Sequence, residues 1–150
     1  ALMLADDLSE GKSFYMKEVD TIKEMISRSQ EGTANLFLFD EIFKGTNTTE
    51  RIAVAKAVLS YLNTTDNIIV TSTHDAELAT LLDTEYDLYH FSEVIQDETF
   101  SFDYKLKSGP LYQRNAIRLL EINGFPPTVI RDAYRTIEKI SYPPTSTQPL

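Results

Sequence analysis

The chain has 150 residues, of which 42% are hydrophobic, and this composition suits one globular domain and argues against a disordered chain. Its 14 basic and 23 acidic side chains give a net charge of -9, opposite to what DNA phosphates require, so we expect no direct grip on nucleic acid by this segment. The absence of cysteine excludes disulfides and thiolate zinc sites, and because no signal peptide or spanning segment is visible we predict a cytoplasmic protein without direct membrane contact.

An amphipathic helix and a buried strand are the first predicted elements. Apolar residues recur at helical spacing over residues 13–29, where they are Val19, Ile22 and Ile26. The apolar run 36–39 is closed by Asp40 and Glu41 and is typical of a parallel strand that is buried on both faces. Active sites of open α/β sheets lie at the carboxyl ends of such strands, which is where the acidic pair is placed.

A second helix and a second strand follow. Asn47 and Glu50 form a capping pair for a helix whose apolar face comprises Ile52, Ala55, Val58, Leu59 and Leu62. Residues 67–73 predict another buried strand, which is followed at once by His74 and a short helix. Since alternating strands and helices imply a parallel sheet, we expect His74 at the same sheet edge as Asp40.

The last third of the chain changes character. Residues 86–95 and 99–106 alternate with period two, which predicts an antiparallel hairpin on the edge of the sheet. Helices near 112–122 and 127–140 are separated by a glycine and two prolines and predict a helix-turn-helix. The tail, residues 143–150, is rich in proline, serine and threonine and is predicted to be disordered.

Two adjacent carboxylates after an apolar strand match the Walker B pattern. Phosphoryl transfer needs one carboxylate near a magnesium ion, here Asp40, and another that reaches the attacking water, here Glu41. A solvated acidic strand end explains the same pair equally well. His74 could contact a terminal phosphate or simply bond to nearby backbone, and we interpret His90 as structural.

A polar loop, residues 9–13, lies immediately before the first helix. Its backbone N–H groups and the helix dipole could receive an anion, although an N-cap turn explains the same residues. The loop contains Gly11-Lys12-Ser13, the ending of a Walker A sequence. Asp6 stands where the earlier glycine of that sequence would be, so this segment is not a phosphate-binding P-loop.

Taken in order, these motifs resemble the ATPase domain of the MutS family. Residues 6–18 (DDLSEGKSFYMKE) are similar to its signature D-D-L-x-x-G-x-S-T-F-x-x-E, with Phe14 in place of threonine. Residues 38–48 (LFDEIFKGTNT) resemble its Walker B and D-loop run, and residues 72–78 (STHDAEL) resemble its T-H-x-x-E-L switch. Residues 113–117 depart from the family's common wording, which indicates a divergent branch.

The resemblance implies an α/β fold of the P-loop NTPase, ABC-type, class with a mostly parallel sheet and flanking helices. Residues 1–108 would form the carboxy-terminal half of the ATPase core, residues 109–142 a helix-turn-helix dimerisation element, and residues 143–150 the tail. No Walker A sequence occurs in the 150 residues. We therefore predict ATP hydrolysis by the full-length parent and none by the chain alone.

The resemblance also implies ATP and Mg²⁺ at composite sites between two subunits. Asp40 would assist the metal, Glu41 would orient water, and His74 would sense the terminal phosphate. Residues expected near the nucleotide held by the partner are Ser9, Gly11, Ser13 and, in the D-loop, Asn47. The implied partners are a second copy, through the ATPase faces and the terminal hairpin, and DNA, through domains outside this chain.

Two alternatives remain open from the sequence. The chain could be a non-catalytic dimerisation module that retains the fold, or the ATPase half of another ABC-type protein. The second alternative normally carries a signature of the L-S-G-G-Q kind, which residues 8–12 resemble only in part. The upstream sequence would separate these readings, and it would also show whether the parent is tethered to a membrane.

Overall fold

The computed structural model describes residues 14–96, 99–111 and 115–141. The described residues up to Leu88 form one unit, and those from Tyr89 onward form a second. The first unit contains helices α1 (Phe14–Ser29), α2 (Thr48–Leu62) and α3 (Ala76–Leu81) and strands β1 (Leu36–Asp40) and β2 (Ile68–Ser72). The second contains strands β3 (Tyr89–His90), β4 (Glu93–Gln96), β5 (Thr99–Phe102) and β6 (Lys107–Ser108) and helices α4 (Ala116–Ile122) and α5 (Pro127–Ser141).

Strands β1 and β2 pair in parallel, as the alternation of elements predicts. The register runs from Leu36 opposite Ile68 to Asp40 opposite Ser72. Helix α2 makes the connection between the two strands, so both carboxyl ends lie at the same edge. This register brings the acidic pair and the residues after β2 together.

Within the part of the chain that the structure describes, only one face of this sheet is covered, so the prediction that both strands are buried on both faces is wrong. Phe39 and Ile69 pack against the core formed by the three helices, and Phe37 on the same face is buried. The opposite face consists of Leu36, Leu38, Ile68 and Val70, whose exposed fractions run from 48% to 66%. Side chains alternate along a strand, so helices on one side leave the other apolar face open.

Helix α2 supplies the centre of the core, as its apolar pattern predicts. Ala55, Leu59 and Leu62 are completely buried. The predicted cap is confirmed, because the backbone N–H of Glu50 donates to Asn47 Oδ1 at 3.0 Å. The Glu50 carboxylate does not close a reciprocal capping box; it accepts a hydrogen bond from Thr46 Oγ1 at 3.1 Å.

In the second unit the antiparallel hairpin is confirmed, with β4 paired to β5 and β3 paired to β6. Its expected place on the edge of a mostly parallel sheet is not observed. The described strands form three two-stranded sheets, of which only β1 with β2 is parallel. His90 Nδ1 lies 2.8 Å from the carbonyl oxygen of Gly109, in keeping with a structural role.

The terminal helical hairpin is also confirmed. Helices α4 and α5 contact each other across a turn in which Gly124 has a φ of 74°, a conformation that glycine adopts at no steric cost. The predicted start of α4 at residue 112 and the tail after residue 141 lie outside the described residues. No helix in the described part of the chain is both long and apolar enough to cross a membrane.

Candidate functional site

The edge where β1 and β2 end is held together by polar contacts. Ser72 Oγ donates to Asp40 Oδ1 at 2.6 Å. The backbone N–H of Glu41 donates to the carbonyl oxygen of Ser72 at 3.0 Å, which extends the strand pairing by one residue. The Asp40 carboxylate and the Glu41 backbone are therefore both anchored to the end of the neighbouring strand.

Glu41 and His74 are in direct contact, as their shared sheet edge predicts. His74 Nδ1 lies 2.9 Å from Glu41 Oε1, and Lys44 Nζ lies 3.3 Å from Glu41 Oε2. The hydrogen bond with His74 lowers the pKa of Glu41, partial desolvation opposes this, and Lys44 lowers the pKa further. Glu41 is consequently an ionised hydrogen-bond acceptor at neutral pH.

The turn that carries Glu41 has an unusual backbone. Glu41 has a φ of 54° and Phe43 a φ of 61°, both in the left-handed region that residues with a Cβ seldom occupy. Such residues cost about 1–3 kcal/mol each and persist where packing fixes them. Ile42 and Phe43 are buried in the core and hold this turn in place. Strain of this kind is concentrated at functional sites.

Arg51 and Asp75 form a second ion pair beside the first. Arg51 Nε and Nη2 donate to the two oxygens of Asp75 at 2.9 Å and 2.8 Å, and both side chains are largely buried. The hydrogen bonds from Arg51 lower the pKa of Asp75, against an opposing effect of desolvation. This bidentate pair ties the first turn of α2 to the residue that follows His74.

The Arg51 pair makes the stability of the protein sensitive to acid. Because the folded pKa of Asp75 lies below its ordinary value of 3.8, its contribution is complete above that value and is lost as the pH falls through the folded pKa. We expect Asp75→Asn to lower the melting temperature at neutral pH and to flatten its decline between about pH 5 and about pH 2. Circular dichroism melts across this range measure both effects.

A matched control is Glu85→Gln, which removes the more exposed pair between Lys56 and Glu85 at 2.8 Å. Exposed pairs contribute little to stability, so this variant should stay close to the wild type. Identical pH profiles for the wild type and Asp75→Asn would show that the Arg51 pair adds nothing to the folded state.

An open cleft of about 170 Å³ gathers these groups. The cleft is lined by two carboxylates, two cationic side chains, an imidazole, a hydroxyl and an apolar side chain: Glu41 and Asp75, Lys44 and Arg51, His74, Thr73 and Ile42. His74 is 68% exposed and stands at its open side. The cleft offers a general base, Glu41, beside groups that can face phosphate oxygens, Lys44 and His74.

Asp40 also suits a magnesium ion bound with a nucleotide. The part of the chain that the structure describes has no cluster of three or more metal-binding side chains. Magnesium in phosphoryl-transfer sites needs only one or two carboxylates, the rest of its shell being phosphate oxygens and waters. Asp40, exposed and paired with the Ser72 hydroxyl, supplies oxygen donors of this kind.

The structure brings Glu41 and His74 into contact and places Asp40 at the same sheet edge, bonded to Ser72 but outside the lining of the cleft. It places Asn47 at the start of α2, where the side-chain oxygen caps the helix. Three others, Ser9, Gly11 and Ser13, lie outside the described residues.

Four site residues escaped the sequence reasoning: Lys44, Arg51, Ser72 and Asp75. The strand alignment could have identified Ser72, which is the register partner of Asp40. Lys44 lies three residues after Glu41, a spacing at which side chains meet within a turn. The pair of Arg51 and Asp75 joins residues 24 positions apart, and no local pattern marks it.

Known proteins resemble this chain across most of its length. A protein family described as MutS domain V matches residues 2–141. The chain is 31% identical over 141 residues to the DNA mismatch repair protein MutS of Lactobacillus delbrueckii subsp. bulgaricus, which covers 91% of the chain and 16% of that protein. It is 28% identical over 148 residues to the protein of the same name from Streptococcus pyogenes serotype M5, covering 96% of the chain and 17% of that protein.

The family match agrees with the three motifs. It argues against the alternative that the chain is part of another ABC-type protein. The chain spans only 16% to 17% of the length of these relatives. Together, the match over residues 2–141 and the relatives of about 30% identity lead to one conclusion: this chain belongs to the MutS family, whose domain V its residues 2–141 match.

Proposed function

We propose that this chain is the carboxy-terminal half of the ATPase domain of a MutS-like protein that acts in DNA mismatch repair or a related DNA transaction. The observation that carries the proposal is the contact of 2.9 Å between Glu41 and His74 beside Asp40 at one sheet edge. The relatives, which bear the name DNA mismatch repair protein MutS, supply the biological setting.

The roles of the residues follow from their positions. ATP with Mg²⁺ would supply the phosphoryl group and neutralise the charge on its oxygens. Asp40, paired with the Ser72 hydroxyl, would hold the metal. Glu41 would orient the attacking water and accept its proton, because each carboxylate oxygen keeps a lone pair beyond its contact with His74 or Lys44. His74, exposed at the cleft, would face the terminal phosphate and keep Glu41 oriented.

The chain offers half of such a site. A Walker A sequence is absent from its 150 residues, so the phosphates would be cradled by another part of the longer protein. The exposed apolar face of β1 and β2, comprising Leu36, Leu38, Ile68 and Val70, gives the rest of the ATPase core a surface to pack on. The signature loop and Asn47 would contact nucleotide held by a second copy. DNA would be bound by other domains, in keeping with the net charge of -9 here.

ATP hydrolysis by the full-length protein and by the 150-residue chain tests the proposal. We expect Mg²⁺-dependent phosphate release from the full-length protein, with a specific activity that rises with protein concentration as dimers form. The isolated chain should release no phosphate above the background. Hydrolysis by the chain alone, or its absence from the full-length protein, would contradict the proposal.

A dimerisation module without catalysis is the second candidate. Helix α5 exposes Val129, Tyr134, Ile137 and Ile140, which favour contact with another polypeptide. A full-length protein that dimerises but neither binds nor hydrolyses ATP would support this candidate over the first.

A further inference from the structure

We infer that Glu18, on helix α1, is a positioning residue that holds the turn carrying Glu41 in its working conformation. This inference rests on the proposed ATPase function and deepens it. Glu18 lies 25 positions from Phe43 in the sequence, and its carboxylate accepts a hydrogen bond from the Phe43 backbone N–H. Glu18 therefore binds the same turn, residues 41–43, that Ser72 at the end of β2 binds through the Glu41 backbone N–H.

Glu18 is a buried carboxylate, with only 9% of the residue exposed. Burial raises the pKa of Glu18, while the backbone N–H groups of Phe43 and Lys44 lower it. Among the described residues its second oxygen, Oε2, has no hydrogen-bond partner although it is buried. Burial of a carboxylate with one unbonded oxygen is unfavourable for folding. We therefore attribute to Glu18 the positioning of the turn that it binds, and not a gain in stability.

The turn needs two anchors because its backbone is strained. Glu41 and Phe43, on either side of Ile42, both have φ in the left-handed region. One anchor is the hydrogen bond from Glu41 N–H to the Ser72 carbonyl, and the other is the bond from Phe43 N–H to Glu18. Without the second anchor, the turn would relax toward ordinary φ values and redirect the Glu41 side chain away from His74.

Helix α1 is packed closely enough to make this anchor rigid. A Cβ added to Gly45 would lie 2.8 Å from Tyr15 Cβ, so the backbone after the turn passes directly against α1. The Tyr15 ring also meets the Phe43 ring, with 6.3 Å between their centroids. Tyr15 and Glu18 are three residues apart and therefore share one face of α1, from which both contact the turn.

The test uses the full-length protein with Glu18→Met, which removes the acceptor at similar volume, and Glu18→Gln, which keeps an acceptor oxygen. Glu18→Met should lower kcat by about tenfold to a hundredfold and leave the KM for ATP nearly unchanged, because the base and not the binding site is displaced. Glu18→Gln should retain most of the activity. The control is Glu24→Gln on α1, where Glu24 forms an exposed pair with Arg28, and its activity should match that of the wild type.

Hydrogen exchange supplies a readout that loss of stability alone would not produce. Exchange of the Phe43 amide should accelerate in Glu18→Met but stay slow in Glu18→Gln, while amides in α2 keep their protection. If Glu18→Met does not fold, Glu18→Asp is used in its place. The aspartate side chain is shorter by one methylene, so its carboxylate should also lose the hydrogen bond from the Phe43 N–H.

A folded Glu18→Met or Glu18→Asp protein with wild-type kcat would overturn the inference, as would a fall in kcat with an unchanged Phe43 amide. Glu18→Gln with activity as low as Glu18→Met would also overturn it, since an acceptor oxygen would then be insufficient. Loss of hydrolysis in Glu41→Gln alongside full activity in Glu18→Met would reject this role and leave the proposed function intact. A wild-type protein without hydrolysis would reject both.

Discussion

Glu41→Gln in the full-length protein is expected to reduce the rate of ATP hydrolysis by about 10²- to 10⁴-fold, the range of a lost general base. Glutamine has nearly the same shape, so ATP binding should persist. Glu41 is suited to the role because its carboxylate is ionised at neutral pH and is held at the cleft by contacts with His74 and Lys44. Steady-state phosphate release gives kcat, and equilibrium binding of ATP gives the affinity.

Glu31→Gln is the matched control, since Glu31 is exposed in the turn after α1 and lies outside the predicted motifs. It should hydrolyse ATP as the wild type does. Equal turnover in Glu41→Gln and the control would remove Glu41 from its proposed role. A parallel loss of ATP affinity would instead indicate that Glu41 supports the binding site and not the chemical step.

Much of the architecture is predictable from local sequence patterns. The N-cap at Asn47, the helical spacing of Ala55, Leu59 and Leu62, and the parallel pairing of β1 with β2 are all confirmed. Each of these features depends on residues a few positions apart or on a continuous run of apolar residues, and such local patterns are visible in the sequence. Because parallel strands end together, the meeting of Glu41 and His74 could be predicted as well.

Features that depend on tertiary packing were not predictable. The apolar runs of β1 and β2 suggested burial on both faces, but one face, represented by Leu38 and Val70, is exposed. The left-handed backbone conformation at Glu41 could not be predicted, because the position is not occupied by glycine. The contact of Glu18 with Phe43 joins distant positions, and although Glu18 is the last residue of the signature resemblance over residues 6–18, that pattern does not identify the partner of its carboxylate.

These long-range contacts converge on the turn after β1. Glu18 reaches it from α1, Ser72 from β2, and His74 from the segment before α3. The core beneath the turn fixes the relative positions of these elements, since Phe43 belongs to the same buried cluster as Leu59 and Leu78. The geometry of the candidate base is therefore a property of the whole first unit and not of the Walker B segment alone.

The strongest test of that core is Leu59→Ala, for which we expect a loss of about 2–5 kcal/mol in the free energy of unfolding. Leu59 is 0% exposed and lies in the middle of α2, so the truncation leaves a cavity among packed side chains. Its carbonyl oxygen also accepts the hydroxyl of Tyr86 at 2.8 Å, and a shift of α2 would disturb this bond. Urea unfolding followed by circular dichroism measures the change.

The matched control is Leu81→Ala, the same truncation at a leucine that is 51% exposed near the end of α3. Its unfolding free energy should change by no more than about 1 kcal/mol, because little apolar surface is lost and no closed cavity forms. Similar losses in both variants would place the stabilising core elsewhere than around α2. A large loss confined to Leu59→Ala, with the Phe43 amide also exchanging faster, would show that this core supports the turn on which Glu41 depends.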